Sequence, residues 1–216
     1  MGIKAIFWDN DGVLVETEHL YAQAIQQVFD RIGFKADAVE LYKEETIKHG
    51  RGIFQVAQRV LGFSEEERNQ MREERNKIYR SLVAEGVPLK NDVEEVLKQL
   101  KASGKYKMGI VTASYKQAFD IVHDKTGVTQ YMDFVLTRED FERSKPYPEC
   151  YLKAVEKVGF TPESCLAIED SERGILAAKA AGIGCWSVLS DFTMGEGSDQ
   201  ADRSLENLTE ILDILK

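Results

Sequence analysis

The chain opens with an apolar run that ends abruptly in acidic side chains. Residues 5–8 are continuously apolar, which is the pattern of a strand buried on both faces of a sheet. Asp9 and Asp11 follow directly, and Gly12 then permits a turn. Because alternate side chains of an extended segment lie on the same side, the two carboxylates are predicted to share one pocket.

The residues after this first strand change to helical spacing. From about Thr17 to Glu85 apolar side chains recur three and four residues apart, and no strand is predicted. Ser64 and Glu67 have the spacing of a capping box, which indicates the start of a helix. Residues 16–85 are therefore predicted to form a helical subdomain.

From about Gly86 onward, apolar runs alternate with helical segments. Buried strands are predicted at 108–112, 134–137 and 165–170, each followed by a helix. A final helix is predicted through Leu205, Leu208, Ile211, Leu212 and Leu215. This alternation is typical of a doubly wound, mainly parallel α/β sheet, so residues 1–15 and 86–216 are predicted to form one α/β core that carries the helical insertion.

Composition and charge narrow the classes of function. With 216 residues, the chain is long enough for a core with an inserted smaller domain. A net charge of −9 gives no attraction for nucleic acid or an anionic membrane, so neither is expected as a partner. No apolar stretch approaches the roughly 18 residues of a membrane-spanning helix, and no signal-peptide pattern is found, so a cytoplasmic location is expected.

The cysteines do not suggest redox or zinc chemistry. Cys150, Cys165 and Cys185 are few and widely spaced, so no zinc or C-x-x-C motif is formed. Each lies in or beside an apolar stretch, and they are interpreted as reduced thiols that fill the core.

The acidic and hydroxyl side chains of the α/β part fall where predicted strands end. They are Asp9, Asp11, Thr112, Glu169 and Asp170. The carboxyl edge of an open parallel sheet is where such folds bind ligands, so these groups are expected to meet there. Carboxylates favour a hard cation such as Mg²⁺ or Ca²⁺. Lys145, in a predicted loop, could add a fixed positive charge to this edge or be an ordinary solvated loop residue.

Four short segments resemble, in order, the four motifs of the haloacid dehalogenase superfamily. They are Asp9-x-Asp11-Gly12-Val13-Leu14, Ile110-Val111-Thr112, Lys145-Pro146 and Glu169-Asp170-Ser171. The helical block between the first two motifs resembles the helical cap of one branch of this superfamily, so the similarity covers the whole chain. It implies a Rossmann-like core with an inserted cap.

The resemblance implies a role for each motif residue. Asp9 would attack phosphorus to form an aspartyl-phosphate, and Asp11 would protonate the leaving alcohol and then activate water. Thr112 and backbone amides near Ala113 and Ser114 would bind the phosphoryl group, and Lys145 would stabilise its charge. Mg²⁺ would be held by Asp9, the Asp11 carbonyl and Asp170, with Glu169 as an outer ligand.

Two acids rather than one favour phosphate esters as substrates. The dehalogenase branch, which has no alcohol to protonate, lacks an aspartate at the place of Asp11. The predicted function is a Mg²⁺-dependent phosphatase acting on a small phosphate ester, such as a sugar phosphate or phosphoglycolate, as a monomer or weak homodimer. A β-phosphoglucomutase-like mutase is the alternative, although its cap histidine falls at Tyr21, and the histidine here is His19.

Two non-enzymatic roles fit the motifs less well. A phosphoacceptor signalling module would be much shorter than this chain and would lack the helical insertion after the first strand. A binding protein without catalytic activity is disfavoured because every motif residue is present. An enzyme is therefore expected.

The choice of substrate is expected to depend on the helical insertion. His49 and Arg51, in the glycine-flanked segment 48–52, could contact the substrate or form a basic solvated turn. His123, in a predicted surface helix of the α/β part, is interpreted as structural or exposed rather than catalytic.

Overall fold

The computed structural model describes residues 2–190, 192–193, 195 and 197–215. Six strands are present in these residues: β1 (Ala5–Trp8), β2 (Lys107–Val111), β3 (Phe134–Leu136), β4 (Cys165–Glu169), β5 (Gly184–Val188) and β6 (Arg203–Leu205). The α-helices are α1 (Glu18–Ile32), α2 (Ala38–Leu41), α3 (Ile53–Leu61), α4 (Glu65–Ala84), α5 (Val93–Ser103), α6 (Lys116–His123), α7 (Glu149–Val158), α8 (Glu172–Ala180) and α9 (Glu210–Ile214).

The chain divides into two compact units. One consists of Met1–Glu16 and Pro88–Lys216 and contains all six strands, and the other is Thr17–Val87. The second unit, all of whose residues are described, is wholly helical apart from its loops.

The strands form one parallel sheet in the order β3-β2-β1-β4-β5-β6, which confirms the predicted doubly wound α/β class. β1 is central, and its last residue, Trp8, lies opposite Ile110 of β2 and Ile168 of β4. The residues that follow these three strands therefore emerge side by side at the carboxyl edge of the sheet.

Apolar side chains cover both faces of the sheet. Ile6 and Trp8 belong to one buried cluster, to which α5, α6 and α9 contribute, whereas Ala5 and Phe7 belong to a second cluster with α7 and α8. All four β1 side chains are fully buried, so burial of each large one contributes about 1.5–3 kcal/mol to folding. Because β1 has no face exposed to solvent, the apolar run at 5–8 is continuous and does not alternate with polar residues.

Two strands at one edge of the sheet were not predicted. β5 is a short, mixed sequence, and β6 is a three-residue edge strand with two exposed polar residues. The prediction that Leu205 belongs to the last helix is wrong, because Leu205 ends β6 and α9 begins only at Glu210. Leu205 and Leu208 are both buried in the same apolar cluster, and their three-residue spacing equals that of residues on one face of a helix.

The helical unit has its own apolar core. Phe29, Phe34 and Phe54 pack edge to face within it. The predicted capping box at the start of α4 is present, with Ser64 and Glu67 each accepting from the other's backbone N–H. A seven-residue π-helix, Tyr42–Lys48, was not predicted and precedes the segment that carries His49 and Arg51.

Two further features concern the cysteines and the helices. Cys150, Cys165 and Cys185 are buried and free, as predicted. Within the described part of the chain, every helix is too short or too polar to cross a bilayer.

Candidate active site

A buried lysine joins two acidic side chains at the carboxyl edge of the sheet. Lys145 Nζ donates to Asp9 Oδ1 at 2.8 Å, to Glu169 Oε1 at 2.6 Å and to the Val111 carbonyl at 3.1 Å. Only 6% of Lys145 is exposed, so it is not the solvated loop residue that its sequence context allowed. Burial alone would lower its pKa, but the carboxylates of Asp9 and Glu169 outweigh that effect and hold the lysine pKa above its usual value.

The acidic side chains at the carboxyl ends of β1 and β4 converge beside this lysine. One carboxylate oxygen from each of Asp9, Glu169 and Asp170 lies within 4.8 Å of the others. Burial, reinforced by neighbouring carboxylates, raises the pKa of Asp9 and of Asp170 to about 7. Three buried carboxylates beside one lysine leave negative charge to be balanced.

Two buried oxygens of these acidic side chains lack a hydrogen-bond partner in the described part of the chain. Glu169 Oε2 and Asp170 Oδ2 are buried and have no hydrogen-bond partner among the described residues. A buried acceptor without a partner is costly, and a hard divalent cation prefers such carboxylate oxygens. The residues present therefore suit a divalent metal of the Mg²⁺ type.

Asp11 lies on the loop after β1 and contacts the loop after β2. Ser114 Oγ donates to Asp11 Oδ2 at 2.8 Å, and the Ser114 amide donates to Thr112 Oγ1 at 3.0 Å. The Thr112 hydroxyl is buried and accepts a bond from its own loop, and Ala113 lies between the two bonded residues. The paired aspartates thus have different surroundings: Asp9 faces a lysine, and Asp11 faces a serine hydroxyl.

Glu169 is fixed by groups that the sequence patterns did not reveal. The Tyr151 hydroxyl on α7 donates to Glu169 Oε1, the same oxygen that accepts from Lys145. On the other side, an added Cβ at Gly174 would lie 2.0 Å from Glu169 Oε2, so the carboxylate occupies space that only glycine leaves open. Tyr151 lies on α7, six residues after Lys145 in the preceding loop, and no sequence pattern identified it as a partner of Glu169.

Asn10, between the two aspartates, has a buried histidine as its partner. His123 Nε2 lies 2.7 Å from Asn10 Oδ1, and both residues are buried. His123, which the sequence left as structural or exposed, is therefore buried. Its burial agrees with its place four residues after Phe119 on the buried face of α6, a spacing that could have indicated it, whereas its partner Asn10 has no signal in the sequence.

The segment predicted to contact substrate lies in the helical unit, where its basic side chains contact carboxylates. His49 Nε2 is 2.9 Å from Glu44 Oε1, and Arg51 Nε donates to Glu45 Oε2 at 2.6 Å. Both basic side chains are more than a third exposed. The charge of Arg51 is thus partly compensated by Glu45 of the preceding π-helix, and His49 contacts Glu44 of the same helix.

A parallel sheet whose carboxyl edge carries paired aspartates, a buried lysine and a further acidic pair defines a hydrolase site of the haloacid dehalogenase type. The chain belongs to this family, since residues 3–182 match the model described as haloacid dehalogenase-like hydrolase. The predicted family is thereby confirmed. Relatives named as phosphatases confirm the predicted class of enzyme, a phosphoric monoester hydrolase.

Individual relatives match over nearly their whole length. The chain is 28% identical to protein CbbY of Rhodobacter capsulatus, covering 97% of this chain and 95% of that protein. It is 27% identical to a phosphorylated carbohydrates phosphatase of Thermotoga maritima, covering 99% of each. A crystal structure of β-phosphoglucomutase from Clostridium difficile superposes with a TM-score of 0.78 at 25% identity, covering 98% of this chain and 96% of that one.

Proposed function

We propose that the protein is a Mg²⁺-dependent phosphatase that hydrolyses a small phosphorylated metabolite through an aspartyl-phosphate on Asp9. The observation that carries this proposal is the buried Lys145 between Asp9 and Glu169, next to two carboxylate oxygens without partners. A nucleophile, a fixed positive charge and a place for a cation then lie at one edge of the sheet.

The reaction has two steps. An Asp9 carboxylate oxygen attacks phosphorus, and the bond from phosphorus to the ester oxygen breaks while Asp11 gives that oxygen its proton. The Asp11 carboxylate then takes a proton from water, whose oxygen attacks phosphorus and releases Asp9. The products are an alcohol and inorganic phosphate.

The surroundings of the two aspartates support this division of work. Lys145 holds Asp9 Oδ1 through a hydrogen bond, which orients the carboxylate and favours its ionised form. Asp11 Oδ2 instead accepts from the neutral Ser114 hydroxyl, which fixes the direction of that oxygen. Asp9 thus has a cation beside it and Asp11 has a neutral donor, which supports the roles of nucleophile for Asp9 and of acid and base for Asp11.

Mg²⁺ is proposed as the cation, with Asp9, the Asp11 carbonyl and Asp170 as its ligands and Glu169 as an outer ligand. When bound, it would neutralise repulsion between the anionic nucleophile and the anionic phosphate. The buried oxygen of Asp170 that lacks a partner supports this ligand set. The Lys145 and Tyr151 bonds to Glu169 Oε1 favour the outer position for Glu169.

A sugar phosphate or a phosphoglycolate-like compound is proposed as substrate. The relative from Thermotoga maritima is named a phosphatase of phosphorylated carbohydrates, and a relative from Aquifex aeolicus, 25% identical, is named phosphoglycolate phosphatase. We further propose that residues 16–85 act as a cap and that His49 and Arg51 contribute to substrate choice. Ala113 and Ser114 are proposed to contact the phosphoryl group.

The test is hydrolysis of a panel of phosphorylated metabolites and a generic aryl phosphate, with and without a chelator. We expect release of phosphate that stops when the chelator is added and returns with Mg²⁺. Arg51→Ala should raise KM for the best substrate, whereas Arg59→Ala on α3 serves as the matched control. Chelator-resistant hydrolysis would contradict the proposed role of the metal.

A mutase remains the second candidate because of the similarity to β-phosphoglucomutase. The position of the mutase histidine carries Tyr21, whose ring packs against Tyr42 and Tyr79 and lies 4.0 Å from the Arg75 guanidinium. A phenol in an aromatic cluster cannot do the work of an imidazole near neutral pH. With β-glucose 1-phosphate, a phosphatase releases phosphate, whereas glucose 6-phosphate as the main product would favour the mutase.

A further inference from the structure

Asn10, the residue between the two aspartates, is anchored at both its side chain and its carbonyl. Its carbonyl accepts backbone N–H bonds from Val13, Leu14 and Val15 at 2.8–3.3 Å. Its side chain is 1% exposed and bonds to His123. The main chain that carries Asp9 and Asp11 is thus held from two directions.

The histidine partner is itself fixed. His123 Nδ1 lies 2.7 Å from Thr126 Oγ1, and the ring centroids of His123 and Phe119 are 4.3 Å apart. Since the Asn10 amide oxygen can only accept, the proton lies on Nε2, and Nδ1 then accepts from the Thr126 hydroxyl. Two hydrogen bonds therefore define one tautomer and one ring orientation.

We propose that His123 is a positioning residue of the hydrolase, which orients Asp9 and Asp11 through its hydrogen bond to Asn10. The loop preceding α6 already contacts Asp11 through Ser114, so the segment from Ser114 to His123 holds both Asn10 and Asp11. A displacement of about 1 Å at a reacting group costs on the order of a hundredfold in rate, so an anchor beside the nucleophile affects turnover directly.

His123 is suited to act as a fixed donor and not as an acid or base. Burial lowers its pKa to about 4, although the carboxylates of Asp11 and Asp120 act in the opposite direction. The imidazole is therefore neutral at ordinary assay pH. Its replacement is expected to lower the rate without changing the shape of the pH profile.

The test compares two replacements of His123 in the full chain. His123→Phe keeps a planar ring but removes the donor, and His123→Gln keeps an N–H donor on a side chain of similar reach. We expect His123→Phe to lower kcat about tenfold or more, with KM within about threefold of wild type, and His123→Gln to recover most of kcat. His19→Gln, on an exposed residue of α1, is the matched control.

A double-mutant cycle separates positioning from stability. Asn10→Leu combined with His123→Phe removes both polar partners, so the loss in kcat should be smaller than the product of the two single losses. All variants are assayed well below their unfolding midpoints. If His123→Phe does not fold, Thr126→Val, which removes the bond to Nδ1 and the long bond from the Val128 amide to the same hydroxyl, should still lower kcat with little change in KM.

Three results would overturn the inference: wild-type kcat in folded His123→Phe, equal impairment in the Phe and Gln variants, or a pH profile that changes shape. The inference rests on the proposed function, and the variant Asp9→Asn distinguishes failure of the inference from failure of the proposed function. Full activity in Asp9→Asn would contradict the proposed mechanism itself. If Asp9→Asn is inactive and His123→Phe is fully active, only the positioning role of His123 is contradicted.

Discussion

Lys145 Nζ lies 2.8 Å from Asp9 Oδ1, although 136 residues separate the two side chains in the chain. Lys145 lies in the loop before α7, and the Val111 carbonyl at the end of β2, the strand next to β1, accepts a third bond from the same ammonium group. A buried cation held by fixed acceptors does not need to reorganise when charge develops on a substrate.

Replacing Lys145 by Met should abolish most of the activity. The variant leaves the Asp9 and Glu169 carboxylates without their cation, so we expect kcat to fall at least about a hundredfold. Removal of one partner of a buried ion pair should also lower the free energy of unfolding by about 3–5 kcal/mol. Steady-state kinetics and urea unfolding measure the two effects, with Lys153→Met on the exposed side of α7 as control. Near-normal kcat in Lys145→Met would contradict the role assigned to it.

Asp11→Asn should slow both steps but allow the covalent enzyme to accumulate. The amide cannot take a proton from water, so the second step becomes limiting when the leaving group of the substrate needs no protonation. A rapid-quench experiment with an activated aryl phosphate should show a burst of aryl alcohol of about one equivalent per enzyme. Linear release at the wild-type rate would show that Asp11 is not the base.

Gly174→Ala tests whether the position of the Glu169 carboxylate depends on the space left open by the missing side chain at Gly174. The added Cβ would lie 2.0–2.4 Å from the Glu169 carboxylate atoms, so the side chain must move away from Lys145 and Tyr151. We expect a lower unfolding midpoint and at least about a tenfold loss of kcat. Gly184→Ala is the control, because its Cβ would meet its nearest neighbour at 3.6 Å, an ordinary contact. Equal behaviour of the two variants would show that the close approach is not important.

The stability of the metal-free protein should fall as the pH rises toward and through about 7. Burial raises the pKa of Asp9 and Asp170 to about 7, so between about pH 4 and 7 the folded state binds more protons than the unfolded state. Stability from these groups is present at low pH and is lost as they ionise. A bound cation compensates the resulting charge, so Mg²⁺ should raise the unfolding midpoint more at about pH 8 than at about pH 5.5.

Asp170→Asn provides the comparison for this pH dependence. His123, whose pKa is lowered by burial, contributes the opposite slope below about pH 6.5, so the wild-type curve alone is not decisive. The variant should lose much of the effect of Mg²⁺ at about pH 8, and Asp120→Asn, on the exposed side of α6, should keep it. The unfolding midpoints of wild type and both variants, with and without Mg²⁺, are measured by calorimetry at both pH values. An effect of Mg²⁺ that is the same in wild type and Asp170→Asn would contradict the ligand assignment.

The sequence predicted those parts of the site that follow from strand patterns. Asp9 and Glu169 each come at the end of an apolar run that is long enough to identify a buried strand, and neighbouring parallel strands bring their ends together. Lys145 carried no such signal, and only its place in the order of motifs indicated a role. Its burial depends on the path of a loop, which periodicity does not determine.

The remaining features depend on contacts between distant residues. The bond between Asn10 and His123 joins residues 113 positions apart, and the helical spacing from Phe119 to His123 indicates a buried face but not the partner that His123 meets there. Likewise, Leu205 has the spacing of a helical residue but pairs in an edge strand, because pairing with β5 decides its conformation. The local sequence pattern predicts a strand well where consecutive residues are all buried. It predicts poorly where a single tertiary contact determines the conformation or the partner of a residue.

The most direct test of the account is to trap phosphate on Asp9. The enzyme is mixed with a ³²P-labelled form of its best substrate, quenched in acid within the first turnover, and digested for peptide mapping. The account predicts label on the peptide that contains Asp9, released by hydroxylamine as an acyl phosphate is, and no label in Asp9→Asn. Substrate hydrolysis with no labelled protein at any time in the first turnover, or with label on another residue, would contradict it.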